Sequence, residues 1–464
     1  MSSLSVEMLA ADVAPISSAG HAQLGIAVLA GIAVIVLLIT KFKLHAFLSL
    51  TIGSLVLGAV AGAPLDKVIL SFTGGLGSTT ASVGVLIALG AILGKLLADS
   101  GGADQIVDTI LAKASRRSMP WAMVLIAAIV GLPLFFEIGI VLLIPVVLLV
   151  AKRGNFSLMR IGIPALAGLS VMHGLIPPHP GPLVAVDAVH ANLGLTLALG
   201  VVVAIPTVII AGPVFSRYAA RWVDIQVPDG MVPERPSADV KKLPSFGATV
   251  CTVLLPVVLM LAKALVDIVI DDPANTVQRV FDVAGSPLIA LLAAVLVAMF
   301  TLGRAAGFTR DRLSTTVEKS LAPIAGVVLI VGAGGGFKQT LIDSGVGQMV
   351  LDISKDWSIP ALLLAWLIAV VIRLATGSAT VATVSAAGLI APLAADMSSA
   401  HVSLLVLAIG AGSLFFSHVN DAGFWLVKEY FGMDVGQTVK TWSVMETLIS
   451  VVSLIFVLLL SIVI

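Results

Sequence analysis

Gly131-Leu-Pro-Leu-Phe-Phe-Glu137-Ile-Gly139 lies in the middle of an apolar run from Ala122 to Ala151, and the reading of that run decides the fold. The run is 30 residues long. One membrane-spanning helix needs about 20 residues, and two would need more than are present, at about 1.5 Å of rise per residue. Basic clusters flank it on both sides, Lys113, Arg116 and Arg117 before it and Lys152, Arg153 and Arg160 after it. Short cytoplasmic loops concentrate Lys and Arg, so both ends belong on the inner side. A single crossing cannot satisfy that. Two half-helices that enter and leave from one side can, with the quoted stretch supplying two glycines, a proline and a carboxylate for the turn. Non-helical backbone at that depth is tolerated where protein buries it or where it lines a cavity.

Composition sets this hairpin in a membrane. Of the 464 residues 59% are hydrophobic and 11% charged, against roughly 25% charged in a soluble domain. The mean hydropathy of +1.12 shows that apolar runs are the body of the chain and not one anchor. Lys plus Arg equals Asp plus Glu at 26 each, which gives no basic groove for nucleic acid. The single cysteine, Cys251, excludes an intrachain disulfide and reads as a lipid-facing or packing thiol. Residues Met1 to Gly20 lack the basic start of a secretory signal, so the first apolar segment is expected to stay in the chain.

Basic residues around Lys41, Arg117, Arg153, Arg217 to Lys242 and Arg304 to Lys319 place those connections inside, and acidic ones around Asp66, Asp271 and Asp343 place theirs outside. A second overlong run, Pro360 to Ala395, is interrupted at Arg373-Leu-Ala-Thr-Gly-Ser-Ala-Thr380 and reads as a second re-entrant hairpin. Leu93-Gly-Lys-Leu-Leu-Ala-Asp-Ser-Gly101 is echoed by Gly336-Phe-Lys-Gln-Thr-Leu-Ile-Asp-Ser-Gly345. His179 in Pro177-Pro-His-Pro-Gly-Pro182 sits opposite His418 in Ser417-His-Val-Asn-Asp-Ala-Gly423. Both halves therefore run helix, hairpin, broken helix, and the charge pattern inverts one half relative to the other.

The expected fold is an all-α polytopic membrane protein with about ten full transmembrane helices plus two re-entrant hairpins in two inverted repeats. Residues 1–22 form a polar extension, 23–216 the N-terminal half with hairpin 122–151, 217–245 a cytoplasmic linker, and 246–464 the C-terminal half with hairpin 360–395. The span before the first hairpin is read as beginning only at Val83. Paired interrupted helices in inverted repeats imply a secondary transporter whose site lies where the breaks converge.

Ionisable and hydroxylated residues at these breaks are the candidates for that site. Glu137 is a carrier for a coupling proton, because a desolvated carboxylate can hold one. Its bland alternative is partnership with a buried base. Arg373 with Thr376, Gly377, Ser378 and Thr380 offers a guanidinium, hydroxyls and free helix-terminal amides to a carboxylate, against a plain salt bridge and helix packing. His173 and His179 bracket one broken helix, while His418, Asn420 and Asp421 occupy the other. His179, His418 and Asn420 read as substrate contacts, and His173 and Asp421 as further proton-coupling groups. Lys95 and Lys338 read as scaffold charges. Gly332-Ala-Gly-Gly-Gly336 lacks the Lys-Ser/Thr of a phosphate loop and reads as close helix packing. The chain has no zinc-protease, paired-cysteine or nucleophile-elbow motif, so neither an enzyme nor a metal or other cofactor is expected.

Several of these stretches resemble the gluconate permease (GntP) family of bacterial proton symporters. They are Leu132-Pro-Leu-Phe-Phe-Glu-Ile-Gly-Ile-Val-Leu-Leu-Ile-Pro145, Ser170-Val-Met-His-Gly-Leu-Ile-Pro-Pro-His-Pro-Gly-Pro182, Ala204-Ile-Pro-Thr-Val-Ile-Ile-Ala-Gly-Pro213, Gly377-Ser-Ala-Thr-Val-Ala382 and Phe416-Ser-His-Val-Asn-Asp-Ala-Gly-Phe-Trp425. The likeness runs from about Lys41 to Ile464, and Ala422 departs from the proline of many relatives. It implies an architecture like that of the ion-transporter superfamily, a multi-pass place in the bacterial inner membrane, and proton symport of gluconate or a related acid. Members of the family also carry other small acids, including D-serine. The implied partners are thus a gluconate-like carboxylate, H+ and the lipid bilayer, with a homo-oligomer left open. A channel or a membrane-embedded enzyme is a distant alternative, disfavoured by the repeat and by the missing catalytic motifs.

Overall fold

A computed structural model describes residues 15–134, 136–177, 179–227, 243–270, 274–349, 360–418 and 421–464, without side chains at positions 40, 137, 138, 141 and 268. Among the described residues all regular structure is helical, and eight helices are long and apolar enough to cross a membrane. Most of the segment read as a linker, and Asp271 and Asp272, lie outside the described residues.

Two helices open the chain, His21–Thr40 and Ala46–Val60, and pack on each other. A continuous apolar helix of 35 residues, Leu65–Asp99, then leads to a short amphipathic helix, Gly102–Lys113. The first predicted hairpin follows as two helices, Met119–Gly131 and Phe136–Gly154, and the first broken helix as Leu158–Leu175 and Pro180–Ala188. The continuous helix Leu193–Trp222 closes this half. After Phe246–Val269, Thr276–Ala284 and Pro287–Arg304 the same order returns. It comprises the long helix Arg310–Asp343, the pair Ala361–Thr376 and Ala379–Ile390, the pair Ser399–Ser413 and Ala422–Phe431, and the final helix Val435–Val463.

Local details repeat with the order. Each long helix ends in Ser-Gly, at Ser100-Gly101 and Ser344-Gly345, with the glycines at φ +73° and +86°. That left-handed C-terminal stop is one that a side chain disfavours. The last helix of each half carries a π-turn, Ile210–Val214 in one and Val439–Ser443 in the other. Pro213 accounts for the first, since proline has no N–H to give the helical ladder.

The first long helix is a correction to the sequence reading, which began this span at Val83. Leu65 to Thr79 is rich in Gly, Ser and Thr, so its hydropathy is low even though it is helical throughout. Those small residues serve a seam with Ala325–Asp343. A Cβ on Gly75 would lie 2.4 Å from the Gly335 carbonyl oxygen, and one on Gly336 would lie 2.5 Å from the Phe72 ring. The glycine run is thus a packing surface. At the end of the seam Asp343 accepts from Ser71 Oγ at 2.6 Å and from Gln339 Nε2 at 2.8 Å. Cys251 is exposed on its helix.

Candidate functional site

Each broken pair begins again with a helix N-terminus, and these restarts meet. One cavity of about 190 Å³ is lined by Phe136, Pro180, Ser378 to Thr380 and Asp421 to Gly423. These residues open the helices Phe136–Gly154, Pro180–Ala188, Ala379–Ile390 and Ala422–Phe431. A helix start leaves backbone N–H groups without intrahelical acceptors and carries about half a positive charge, although at Pro180–Ala188 the prolines at 180 and 182 leave Gly181 as the one N–H among the first three residues. Four such starts around one space favour an anion.

Arg373 adds a full positive charge. It sits in the last turn of Ala361–Thr376, 4% exposed, and Gly377 stops that helix at φ +71°. Its Nη1 donates to the Gly377 carbonyl at 2.6 Å, and its Nη2 is bound to Asp421 Oδ2. Its Nε, also buried, has no hydrogen-bond partner among the described residues. Asp421 caps Ala422–Phe431 by accepting from the Gly423 N–H at 2.8 Å, and its Oδ2 also accepts from Ser417 Oγ. Ser417 in turn accepts from Trp442 Nε1 at 2.7 Å. The second hairpin, the second broken helix and the π-turn of the last helix are thereby tied into one network. Ser378 caps Ala379–Ile390 by accepting from the Val381 N–H at 3.3 Å, and Thr380 stands beside it on the cavity wall.

The histidines divide. His173 lines the cavity, with its ring 5.9 Å from that of Phe136 and 5.5 Å from that of His179. His179 and His418, expected as substrate contacts, do not line it. His179 Nε2 meets the Gly131 carbonyl at 2.9 Å and His418 Nε2 meets the Leu374 carbonyl at 3.1 Å. A carbonyl only accepts, so each Nε2 carries its proton there. Each histidine thus clamps the end of the first hairpin arm in its own half, where the backbone must leave the helix. Thr376, also expected as a contact, donates to the Ile372 carbonyl at 2.8 Å behind the wall. The side chain of Glu137 and the whole of Asn420 lie outside the described residues. Lys95 pairs with Asp99 at 2.8 Å, and Lys338 has Asp187 as its electrostatic neighbour.

Sequence reading missed Glu446, Trp442, Ser417, Ser170 and Phe136, all in or beside the cavity. Glu446 had a usable signal, since it is an acidic residue inside the final apolar run, where ionisable groups are rare and functional by default. Ser417 and Trp442 had none, because a serine and an indole are ordinary in such runs. Trp442→Phe is expected to lower stability in detergent by about 0.5–1.5 kcal/mol, the net worth of one hydrogen bond, and to weaken transport by freeing Ser417. A thermal unfolding series with parallel uptake assays checks both.

Two further spaces are linked to the site by shared lining residues, Pro180 and then Pro133 and Leu134. A neck of about 10 Å³ between Ile87, Gly90, Leu132 to Leu134, His179 and Pro180 adjoins it. A wider cavity of about 290 Å³ follows, bounded by Pro133, Leu134, Lys95, Lys319 and Ile324.

Interrupted helices whose starts converge on an anion-favouring cavity, in a chain of apolar helices, define an integral membrane transporter. Solved transporters share the fold. The YdaH transporter of Alcanivorax borkumensis aligns over 85% of this chain and 87% of its own, at a TM-score of 0.57 and 18% identity. MtrF of Neisseria gonorrhoeae, described as illuminating a class of antimetabolite efflux pumps, aligns over 85% and 83% at 0.60 and 16%. The model of the GntP family permeases matches residues 24–463. A gluconate permease of Pseudomonas aeruginosa is 49% identical over 439 residues, 92% of this chain and 95% of the relative. A high-affinity gluconate transporter of Escherichia coli is 44% identical over 94% of this chain and 98% of its own. The Gnt-II system L-idonate transporter of that organism is 40% identical over 93% and 98%. This chain belongs to the GntP family of permeases. It is a multi-pass membrane transporter and not an enzyme.

Proposed function

We propose that the protein imports gluconate, or a closely related sugar acid, together with protons across the bacterial inner membrane. The observation that carries the reading is the convergence of four helix N-termini and the half-satisfied Arg373 on one cavity. The substrate carboxylate lies against Arg373 Nε and the N–H groups of Ala379 and Thr380 at the start of Ala379–Ile390. The hydroxyls of Ser378, Thr380 and Ser170 meet the polyol chain, and His179 and His418 act on it indirectly by holding the breaks open. The matched element order supports a pair of inverted repeats, with 122–151 and 360–395 entering as hairpins from opposite sides. The gluconate permease and transporter names of close relatives support the cargo, and the L-idonate transporter favours a reading that extends to other hexonates.

Purified protein in liposomes is expected to accumulate radiolabelled gluconate when the lumen is made alkaline, and to lose accumulation when a protonophore collapses the gradient. L-Idonate is expected to compete more strongly than glycerate or D-serine. Accumulation that ignores the gradient would remove proton coupling from the reading. Competition by D-serine alone would move the cargo to an amino acid.

A further inference from the structure

Resting on that reading, we infer that Glu446 is the coupling-proton site, a role distinct from that of Asp421 in the same cavity. Glu446 is 1% exposed, lines the cavity, and has an Oε1 with no hydrogen-bond partner among the described residues. It stands on the last helix just after the π-turn, and the Ser170 hydroxyl of Leu158–Leu175 faces its carboxyl group. The other charged or titratable groups at this wall are Arg373 from Ala361–Thr376, Asp421 from the second break and His173 from Leu158–Leu175.

Asp421 is fully engaged. Its oxygens take donors from Arg373, Ser417 and the Gly423 N–H. Adding a proton there would displace one of these donors and leave Arg373 buried without its counter-charge. Glu446 stands in the opposite condition. A buried carboxylate oxygen without a protein donor is unfavourable as an anion, and a proton on that carboxyl turns it into a group that can donate to a neighbour or to a bound anion. The proton binds an Oε of Glu446 when the cavity faces the side of higher proton activity, and leaves the same oxygen to water on the other side. Its presence lets a carboxylate substrate enter beside Glu446 without two like charges meeting in a dry space.

The test separates this inference from symport itself. Glu446→Gln keeps size and neutrality but cannot release a proton. Reconstituted E446Q is expected to lose at least tenfold of the gluconate accumulation driven by a pH gradient, and whatever gluconate exchange it retains is expected to lose the pH dependence that the parent shows. Accumulation by E446Q equal to that of the parent protein overturns the inference, and so does exchange by E446Q that keeps the parent's pH dependence. If E446Q does not fold, Glu446→Asp decides, because a shortened proton site should displace the pH profile of uptake and an unchanged profile overturns the assignment. Failure of the parent protein to respond to the gradient would overturn symport and would be seen before any variant is made.

Discussion

Arg373→Lys is expected to abolish measurable gluconate uptake while leaving a folded protein. The guanidinium is bound in two directions at once, to the Gly377 carbonyl and to Asp421, and its buried Nε has no partner among the described residues. A lysine ammonium is a compact charge without a planar fork, so it can stay near Asp421 but cannot also hold the hairpin turn and present a donor to substrate. Losing a buried charge-assisted contact to the substrate is worth about 2–3 kcal/mol, or on the order of 30- to 150-fold in apparent affinity. Arg373→Ala should be worse in a different way. It strands Asp421, and breaking a buried pair from one side costs about 3–5 kcal/mol. Calorimetry of gluconate binding together with thermal unfolding separates the two effects. A lysine variant with parental affinity would remove Arg373 from the substrate site.

Gly335→Val is expected to prevent the two long helices from seating. An added Cβ there would lie 2.1 Å from Thr79 Oγ1, 2.4 Å from Thr79 Cβ and 2.7 Å from the Gly75 carbonyl oxygen. The last of these is backbone, which has no rotamer to change. Overpacking of this kind costs about 1–3 kcal/mol and sometimes more, with valine worse than alanine. Gly77 provides the contrast, because nothing lies within 4 Å of a Cβ at that position. Gly77→Ala should be neutral or stabilising by up to about 1 kcal/mol, as alanine is the better helix former. Size-exclusion profiles and melting curves of the two variants test the seam, and equal behaviour would refute it.

What could be read from the chain depended on whether the signal was local. The breaks at Leu132 to Leu134 and at Gly377 were legible because proline and glycine punctuate an apolar run, and the matched Ser-Gly stops were legible as a repeat. Arg373 and Asp421 stood out because charge is rare at membrane depth. That they bond to each other was not legible, since 48 residues of intervening chain decide it. The carbonyl partners of His179 and His418 were hidden for the same reason. A histidine beside a break looks alike whether its ring meets a ligand or a carbonyl 48 or 44 residues away. The start of the long helix at Leu65 was hidden because hydropathy measures affinity for lipid, whereas Gly75 faces another helix.

The neck beside the site is the tightest of the three spaces described. Its space of about 10 Å³ is at the lower limit for one water molecule. A six-carbon acid does not fit in it. Leu132, Pro133 and Leu134 form its apolar lip, and they belong to the interruption that the sequence announces most loudly. For such an acid to leave by this side Leu132, Pro133 and Leu134 have to move, which would make a local backbone rearrangement part of turnover by that route.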